Sequence, residues 1–590
     1  MRYIIIVFVM SILGASTSLA RTVLDLQKFS TESKVTYKNG VKARLTNLNK
    51  NVSRWYLLSL YWPKTKTSKK FHLENPFPSD QLIYLSKSRN GLLLRKKNED
   101  TYCQFGEKPS NSQFVASSKE QKPFVPICDN RLLMRNQIKG ELSTKEIAVD
   151  FLRENIWNGE TVISFIKDTV YKDAEIITSV IKLKSGSGSA FVTDGPRPAE
   201  IESKFKGGRA PTGELGIQGY VEKDNTMELG KWYRAKRHND VYIGIMQPQA
   251  VSMKIRKTFR NRVLPFDSVE KSAMVYLVAF DITDMEIGYS LGTEHPKVTY
   301  SERTYNYLKK PGWKGPDGIQ NYSPLVSTGM VSPVDAQRII ATFTGGFKRK
   351  HSVFRAGKPA KGNGGTHYGF LQNGVVFSTL HSGLATAIVT KDGDFEIKTW
   401  EASDNKRLGD IMFARQNGLP LVYRNKKDQR VTPGRYVRQN FRGNWSGSKQ
   451  NTVRALRTGL CIQNVNDRKM VIYGFFSSHT PNAMARVFQA YDCEYAMHLD
   501  MNMIVHTYLA TYFRGEKDKL TIEHIVDKMR WKDKKFKDVT LPRFVAVPDN
   551  RDFFYLMRKK PKPGKLSQKK SPPQQEDEQA IPAQYAEASE

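Results

Sequence analysis

Apolar and polar residues alternate along several short segments of this chain, and the alternation predicts β-strands in both halves. Two such segments lie near the N-terminus, WYLLSLYW from Trp55 and QLIYLS from Gln81. Two more lie in the middle of the chain, DVYIGIM from Asp240 and MVYLVAFDI from Met274.

Helical spacing is found in three further segments. The first begins at Ser143, with Glu146 completing a capping box, and the second is a short helix from Ser332 that feeds a strand. The third begins with Thr480 as N-cap and Pro481 in the first turn, and its apolar stripe is expected to pack on a sheet. These segments together predict an α+β fold, in which a C-terminal domain of mixed sheet with packed helices follows a β-rich N-terminal region.

Two dipeptides predict tight hairpin turns. Asn373-Gly374 and Asp392-Gly393 separate apolar runs, and both dipeptides tolerate the positive φ angles of two-residue turns. We therefore expect an antiparallel meander over residues 367–400.

The segment YAMHLDMNMIVHTY, residues 495–508, has one apolar face and one polar face when it is read as a strand. The polar face carries His498, Asp500, Asn502 and His506. Either the strand is half exposed, or this face belongs to a binding or catalytic site. A metal site is less favoured, because the ligand types are mixed and no second cluster of His or Cys supports them.

Composition divides the chain into five segments. Residues 1–20 have the basic start, apolar run and small-residue end of a cleaved signal peptide, so an exported protein, periplasmic or extracellular, without an integral membrane segment after cleavage is expected. The other four segments are 21–184, an N-terminal α/β region of unknown function; 185–268, a β-rich linker or subdomain that opens with SGSGS; 269–545, the C-terminal domain; and 546–590, a disordered tail.

The cysteines indicate the cellular compartment of the protein, and the net charge indicates the class of its partners. Cys103, Cys128, Cys461 and Cys493 fit an oxidising compartment, and we expect neighbours in sequence to pair. The net charge of +35 favours anionic partners, among them envelope polymers, nucleic acid and phosphorylated glycans. No DNA-reading motif is found, so nucleic acid is not the expected partner.

Three other polar or glycine-rich segments are candidates for chemistry. The paired glycines of Thr344-Gly345-Gly346-Phe347 allow a sharp turn that presents N–H groups to an anion, although tight turns commonly use such pairs. Gln416 and Asn417 precede another turn, and Arg457 begins an apolar strand. The guanidinium of an arginine suits a phosphate, although a lone arginine is more often a surface charge.

In order and spacing, these motifs resemble the phosphodiester glycosidase family. The resemblance covers residues from about 272 to 545 and includes the VYLVAFDI strand, the Gly-Gly-Phe turn, Trp400, ARQNG, Arg457-Thr458-Gly459, the Thr-initiated helix and the final Leu-Asp motif. The chain departs from the family pattern in three motifs: Thr344 replaces Asn, Ala483 replaces Glu, and Met501-Asn502 replaces glycines after Asp500.

The resemblance implies hydrolysis of a sugar joined through its anomeric carbon to a phosphodiester, without a metal or cofactor. It implies that Arg457 and the Gly345-Gly346 turn hold the phosphate, and that Asp500 lies beside the anomeric carbon. Glu401 is a candidate second carboxylate. The remaining candidate substrate-binding residues are Thr344, Phe347, Gln416, Asn417, His479, Thr480, His498, Asn502 and His506.

The expected partner is thus an anionic glycan or a phosphodiester-linked sugar, with electrostatic association to envelope polymers. Two rival readings stay open. A non-catalytic, basic envelope-binding protein could retain the same scaffold, and the missing glycines favour it. A nucleic-acid-binding protein would show strongly salt-dependent affinity.

Overall fold

The computed structural model describes residues 22–97, 99–140, 175–183, 190–295, 298–301, 304–348, 368–438, 454–515 and 519–560. The proposed signal peptide, the helix expected from Ser143 and the SGSGS segment lie outside these residues. The segments WYLLSLYW, DVYIGIM and MVYLVAFDI, which the sequence assigned to strands, do form strands.

The prediction of an α+β fold with packed helices is wrong. Strand accounts for 41% and helix for 14% of the structure. Residues between the predicted helices are rich in β-branched and aromatic side chains and turn in short hairpins, which suits antiparallel sheet. The described α-helices are short: α1 Gln113–Ser117, α2 Met253–Lys257, α3 Pro333–Ala336 and α4 Pro481–Ala490.

The N-terminal part forms two antiparallel sheets around its own apolar core. The larger sheet has the order β1-β2-β3-β4-β9-β8, and the smaller one has the order β5-β6-β7. Their strands are β1 Thr31–Thr36, β2 Lys42–Asn47, β3 Trp55–Trp62, β4 Thr67–Glu74, β5 Gln81–Leu85, β6 Gly91–Lys96, β7 Glu99–Gln104, β8 Phe124–Ile127 and β9 Leu132–Arg135.

An eight-stranded sheet forms the centre of the remaining structure, with the order β13-β14-β15-β26-β25-β27-β23-β24. Since β13 and β14 join β15 in this sheet, it extends across residue 268, where the sequence suggested a boundary. Its strands are β13 Trp232–Arg234, β14 Val241–Met246, β15 Val275–Asp281, β23 Val422–Arg424, β24 Val431–Pro433, β25 Ala455–Val465, β26 Arg468–His479 and β27 Tyr495–Met501.

Helix α4 packs on this sheet where two glycines leave room for it. A Cβ atom at Gly459 would lie 2.8 Å from the ring of Phe488, and one at Gly474 would lie 3.3 Å from that ring. Thr480 caps the helix as predicted, since its side chain accepts a hydrogen bond from the N–H of Ala483. All ten helical residues are buried, whereas the sequence pattern indicated a single apolar stripe.

Part of the predicted tail belongs to a five-stranded sheet, which has the order β16-β32-β17-β28-β29. Residues from 546 were expected to be disordered, yet β32 is buried in this sheet between β16 and β17. The lysine- and proline-rich composition after residue 558 masked the apolar run FFYLMR. The strands are β16 Met285–Ser290, β17 Ile339–Thr344, β28 Leu509–Arg514, β29 Leu520–His524 and β32 Phe553–Arg558.

A second five-stranded sheet contains the two predicted hairpins, with the order β19-β18-β22-β20-β21. Asn373 and Gly374 both have positive φ, at 49° and 74°, as a two-residue turn requires. The hairpins do not form one continuous meander, because β22 lies between them. The strands are β18 Phe370–Gln372, β19 Val375–Ser378, β20 Ala385–Thr390, β21 Phe395–Thr399 and β22 Ile411–Gln416.

Two small sheets contain the remaining described strands. They comprise β10 Lys182–Leu183, β11 Gly208–Pro211, β12 Thr226–Glu228, β30 Lys534–Phe536 and β31 Val539–Leu541. One hydrophobic core is shared by the eight-stranded sheet and both five-stranded sheets.

Both expected disulfides are present. Cys103 bonds to Cys128, and Cys461 of β25 bonds to Cys493, which follows α4. This pairing agrees with an oxidising compartment. Within the described ranges, no helix is both long enough and apolar enough to cross a bilayer.

A buried ion network joins the N-terminal sheet to α3. Arg54 and Arg135 both bind the carboxylate of Glu74, at 2.9 and 2.7 Å, and the indole N–H of Trp55 donates to it at 3.1 Å. Arg54 also lies 2.8 Å from Asp335 in α3. Burial alone would raise the pKa of Glu74, but the two arginines lower it to about 2.

Candidate functional site

The strand that carries the alternating polar residues, β27, is buried on both faces. All seven of its residues are buried, so the half-exposed strand considered from the sequence is not what forms. His498 and Asp500 therefore point into the protein, where each polar atom needs a partner.

Arg457 of β25 is fully buried and lies opposite Met501 of β27. Its Nε donates to the carbonyl oxygen of His479 at 2.8 Å, and its Nη1 lies 3.2 Å from His498 Nε2 and 3.3 Å from Met501 Sδ. Burial lowers the pKa of Arg457 to about 9, and the charge of Glu270 opposes this shift. A buried cation of this kind favours a nearby anion.

His498 is held as a neutral imidazole. Its Nδ1 donates to the carbonyl oxygen of Leu499 at 2.6 Å, which leaves Nε2 to accept from Arg457. Burial and the charge of Arg457 lower the pKa of His498 well below its usual value. The ring also packs on Phe347, with 4.9 Å between ring centroids.

Asp500 pairs with Arg551, an arginine that the sequence analysis did not select. Arg551 donates to Oδ2 of Asp500, and the N–H of Met501 donates to Oδ1 at 2.9 Å. Thr458 also donates to the backbone carbonyl of Asp500, at 2.8 Å. An ion-paired carboxylate accepts hydrogen bonds and attracts positive charge, but it does not donate a proton.

The turn at residues 344–347 lies directly beside β27. Thr344 Oγ1 donates to the carbonyl oxygen of His506 at 2.7 Å, and His506 Nδ1 donates to the carbonyl oxygen of Met501 at 3.2 Å. Since Arg457 also contacts Met501, a chain of contacts links Thr344 through His506 and Met501 to Arg457, and Asp500 precedes Met501 in β27.

The turn's N–H groups are mostly used by the protein itself. The N–H of Gly345 donates to the carbonyl oxygen of Asp552 at 2.9 Å, and that of Phe347 donates to Asn417 Oδ1 at 3.1 Å. A Cβ at Gly345 would lie 2.5 Å from Asp552 Oδ2, and one at Gly346 would lie 2.7 Å from Asn417 Cγ. The glycines thus allow close packing of the turn.

Asn417 and Gln416 hold the surrounding loops in position. Asn417 also donates to the carbonyl oxygens of His498 and Leu499, at 2.6 and 3.0 Å. Gln416 accepts from the N–H of Gly369 and exchanges two hydrogen bonds with the backbone of His381. Both side chains are completely buried.

Three further candidates lie at the edge of this cluster. Asn502 has a positive φ of 82° and directly follows β27, and its N–H donates to the carbonyl oxygen of Leu456 at 2.7 Å. His479 is buried, which lowers its pKa to about 3. The N–H of Thr480 donates to Glu270 at 2.9 Å.

Glu401 lies elsewhere. It is exposed and caps the 3-10 helix Ala402–Asp410, where its N–H donates to Asp404 at 2.8 Å. Among the described residues it makes no hydrogen bond or ion pair with Asp500 or Arg457. Its position after Trp400 reflects helix capping.

Sequence reasoning missed a buried cluster next to the glycine turn. Arg415 Nε donates to Asp552 Oδ2 at 2.7 Å, and the Tyr289 hydroxyl donates to the same oxygen at 2.9 Å. Burial would raise the pKa of Asp552, but Arg415 lowers it. The preceding residue is Arg551, so one short segment supplies partners to both Arg415 and Asp500. The available signal was the dipeptide Arg551-Asp552 immediately before an apolar run.

No group of three or more His, Cys, Asp or Glu side chains within the described ranges is arranged to hold a metal ion. What the arrangement offers is buried cations and ion-paired carboxylates in close contact. Such a site suits the binding of an anion and the stabilisation of a developing positive charge.

No family model and no curated protein matches the chain. The zebrafish N-acetylglucosamine-1-phosphodiester alpha-N-acetylglucosaminidase catalytic domain, auto-inhibited by its pro-peptide, has a TM-score of 0.29 and 9% identity, over 62% of this chain and 96% of that chain. A hypothetical protein from Synechocystis has a TM-score of 0.24 and 8% identity, over 86% of this chain and 97% of that chain. Both likenesses are weak.

Proposed function

We propose that this protein is an exported hydrolase that cleaves sugar-1-phosphodiester linkages in an envelope or extracellular glycan. The observation that supports the proposal is the chain of contacts from Thr344 through His506 and Met501 to Arg457, next to Asp500. These residues come from three sequence segments that resemble motifs of the phosphodiester glycosidase family. Contact between distant motifs favours a shared task over separate structural roles.

Arg457 is the proposed phosphate-binding residue. Burial lowers its pKa to about 9, so a bound phosphate anion would offset the cost of keeping the guanidinium charged. The planar donors of arginine match two phosphate oxygens at once. Neutral His498 accepts from Nη1 and so fixes the orientation of the guanidinium.

Asp500 is the proposed stabiliser of the sugar. Hydrolysis at an anomeric carbon passes through an oxocarbenium-like transition state, in which positive charge develops on the ring. The carboxylate of Asp500, which pairs with Arg551, would attract that charge. The leaving group is an acidic phosphate, so its departure depends less on protonation than that of an ordinary sugar alcohol.

The test uses the nitrophenyl phosphodiester of a sugar, with a phosphatase added to release nitrophenol from the product. Asp500→Asn should lower kcat by about 10²–10³, because it removes a charge that acts in the transition state. Arg457→Lys should mainly raise KM, since a lysine cannot bind two oxygens in the same fork. Melting curves establish that each variant is folded.

Matched substitutions at exposed positions serve as controls. Asp410→Asn and Arg530→Lys make the same chemical changes in surface ion pairs and should leave the kinetics unchanged. In H₂¹⁸O the label should enter the sugar, whereas a phosphodiesterase would place it in the phosphate. Full activity in folded Asp500→Asn, or label in the phosphate, rejects this function.

A second function is favoured by the Met501-Asn502 replacement of glycines and by the net charge of +35. A non-catalytic envelope-binding protein would hydrolyse no glycosyl phosphodiester and would bind anionic polymers with an affinity that falls steeply with salt. Pull-down with an anionic envelope polymer at two salt concentrations, alongside the hydrolysis assay, separates the two functions.

A further inference from the structure

His295 is a buried histidine whose two ring nitrogens both lack a hydrogen-bond partner within the described part of the chain. It is 3% exposed and lies in the loop after β16. Its Nδ1 is 3.2 Å from Oδ1 of Asp552, but the ring is turned so that no hydrogen bond forms. Oδ1 of Asp552 likewise has no hydrogen-bond partner among the described residues.

Three buried polar atoms without partners in one place are unusual, since nearly all such atoms in folded proteins are satisfied. The other carboxylate oxygen of Asp552 is fully used, by Arg415 and Tyr289. Oδ1 therefore stays available for His295, and a small rotation of the ring would complete the bond. Catalytic hydrogen bonds are often poorly aligned until substrate binds.

His295 is close to the proposed site. The N–H of Gly345 donates to the carbonyl oxygen of Asp552, and Arg551, the partner of Asp500, is the adjacent residue. The apolar neighbour of the imidazole is Phe370, whose ring lies 5.9 Å away, edge to face.

Burial is the main reason that His295 is neutral. Burial lowers the pKa of His295 to about 3; Asp552 opposes that shift, while Lys348, Arg415 and Arg551 add to it. A neutral imidazole with a carboxylate behind Nδ1 can accept a proton at Nε2, and the carboxylate then stabilises the imidazolium.

We infer that His295, oriented by Asp552, is the general base that takes a proton from the attacking water in the proposed hydrolysis. This inference rests on the proposed function. The water oxygen forms a bond to the anomeric carbon, and the bond from that carbon to the phosphate oxygen breaks. The bonding electrons leave with the phosphomonoester, and the water proton moves to His295 Nε2 and then to solvent.

The experiment measures hydrolysis of the same nitrophenyl glycosyl phosphodiester by the full chain. His295→Gln should lower kcat by about 10²–10⁴ with little change in KM, the range expected for loss of a general base. His295→Gly should regain activity when imidazole is added. His238→Gln is the control, because His238 is another buried histidine and packs edge to face on Phe513; its kcat should equal that of the wild type.

A second measurement leaves His295 in place. Lys348 is one of the cations that lower the pKa of His295, so Lys348→Gln should move the acid limb of kcat/KM to higher pH. This variant keeps the inference testable if both His295 variants fail to fold.

The outcomes separate this inference from the proposed function. If the wild type hydrolyses the substrate and His295→Gln has the same kcat, the inference is overturned and the proposed function is retained. A reduced rate without rescue by imidazole, or an acid limb that does not move in Lys348→Gln, indicates a structural role and also overturns the inference. A wild-type protein that hydrolyses no glycosyl phosphodiester rejects both.

Discussion

Replacing Glu74 by Gln should destabilise the protein at neutral pH, because Glu74 is the shared anion of the network between the N-terminal sheet and α3. Its side chain is 0% exposed and binds both Arg54 and Arg135. Glutamine has nearly the same shape but no charge. The substitution therefore leaves two buried guanidinium groups, and Asp335, in contact with Arg54, is then their one remaining ion-pair partner among the described residues.

The size of the effect follows from the pKa of Glu74. A tenfold change in proton affinity corresponds to about 1.4 kcal/mol, so a pKa of about 2 in place of 4.5 means that ionised Glu74 stabilises the fold by about 3 kcal/mol. Removing one partner of a buried ion pair typically costs about 3–5 kcal/mol, which agrees. Since the pKa in the folded protein is the lower one, this stabilisation is fully present above pH 4.5 and is lost as the pH falls toward 2.

Urea unfolding followed by tryptophan fluorescence measures the effect, because Trp55 donates to Glu74 and its ring lies 3.9 Å from the guanidinium of Arg135. Glu74→Gln should unfold at lower urea than the wild type at pH 7, and the difference should narrow below pH 4.5. Asp100→Asn, which breaks an exposed pair with Arg95, is the matched control and should leave the midpoint unchanged. Equal midpoints at pH 7, or a difference that persists at low pH, would refute the electrostatic reasoning.

Two other substitutions test packing and cross-linking. Gly345→Ala should destabilise the protein by about 1–3 kcal/mol, because its Cβ would lie 2.5 Å from Asp552 Oδ2. Gly515→Ala is the control and should melt like the wild type, since the nearest neighbour of its Cβ lies at 3.5 Å. Equal melting temperatures of the two variants would contradict the close packing at Gly345. Cys461→Ser with Cys493→Ser opens a link across 32 residues and should lower stability by about 2–4 kcal/mol in thermal melts. Reductant should then lower the melting temperature of the wild type more than that of this double variant.

Much of the local structure was predictable from the sequence because its causes are local. Asn373-Gly374 adopts the two positive φ angles that its turn requires, and Thr480 caps α4 through its own side chain. The position of β22 between the two hairpins was not predictable in this way. It depends on pairing with β18 and β20, and alternation within one strand does not identify its neighbours.

The candidate site was predictable only in part, for the same reason. Arg457, His498 and Asp500 lie on neighbouring strands and belong to motifs that the sequence displays. His295 and Asp552 are more than 250 residues apart in sequence, and each taken alone has the signature of an ordinary loop residue. Glu401 was misleading, because a carboxylate at a strand end also serves to cap a helix.

The position of β32 has a consequence for how the chain assembles. This strand separates β16 from β17, so the two cannot hydrogen-bond to each other directly and their sheet stays incomplete until residues 553–558 arrive. Arg551 and Asp552 directly precede that strand in the sequence, so they are synthesised at the same stage. During vectorial synthesis the N-terminal sheets can form early, while the candidate site is completed only by the last described strand, a long-range contact that slows folding. A nascent or truncated chain that ends before residue 551 would thus lack the groups proposed to hold Asp500 and His295, so the candidate site would stay incomplete until synthesis has passed this point.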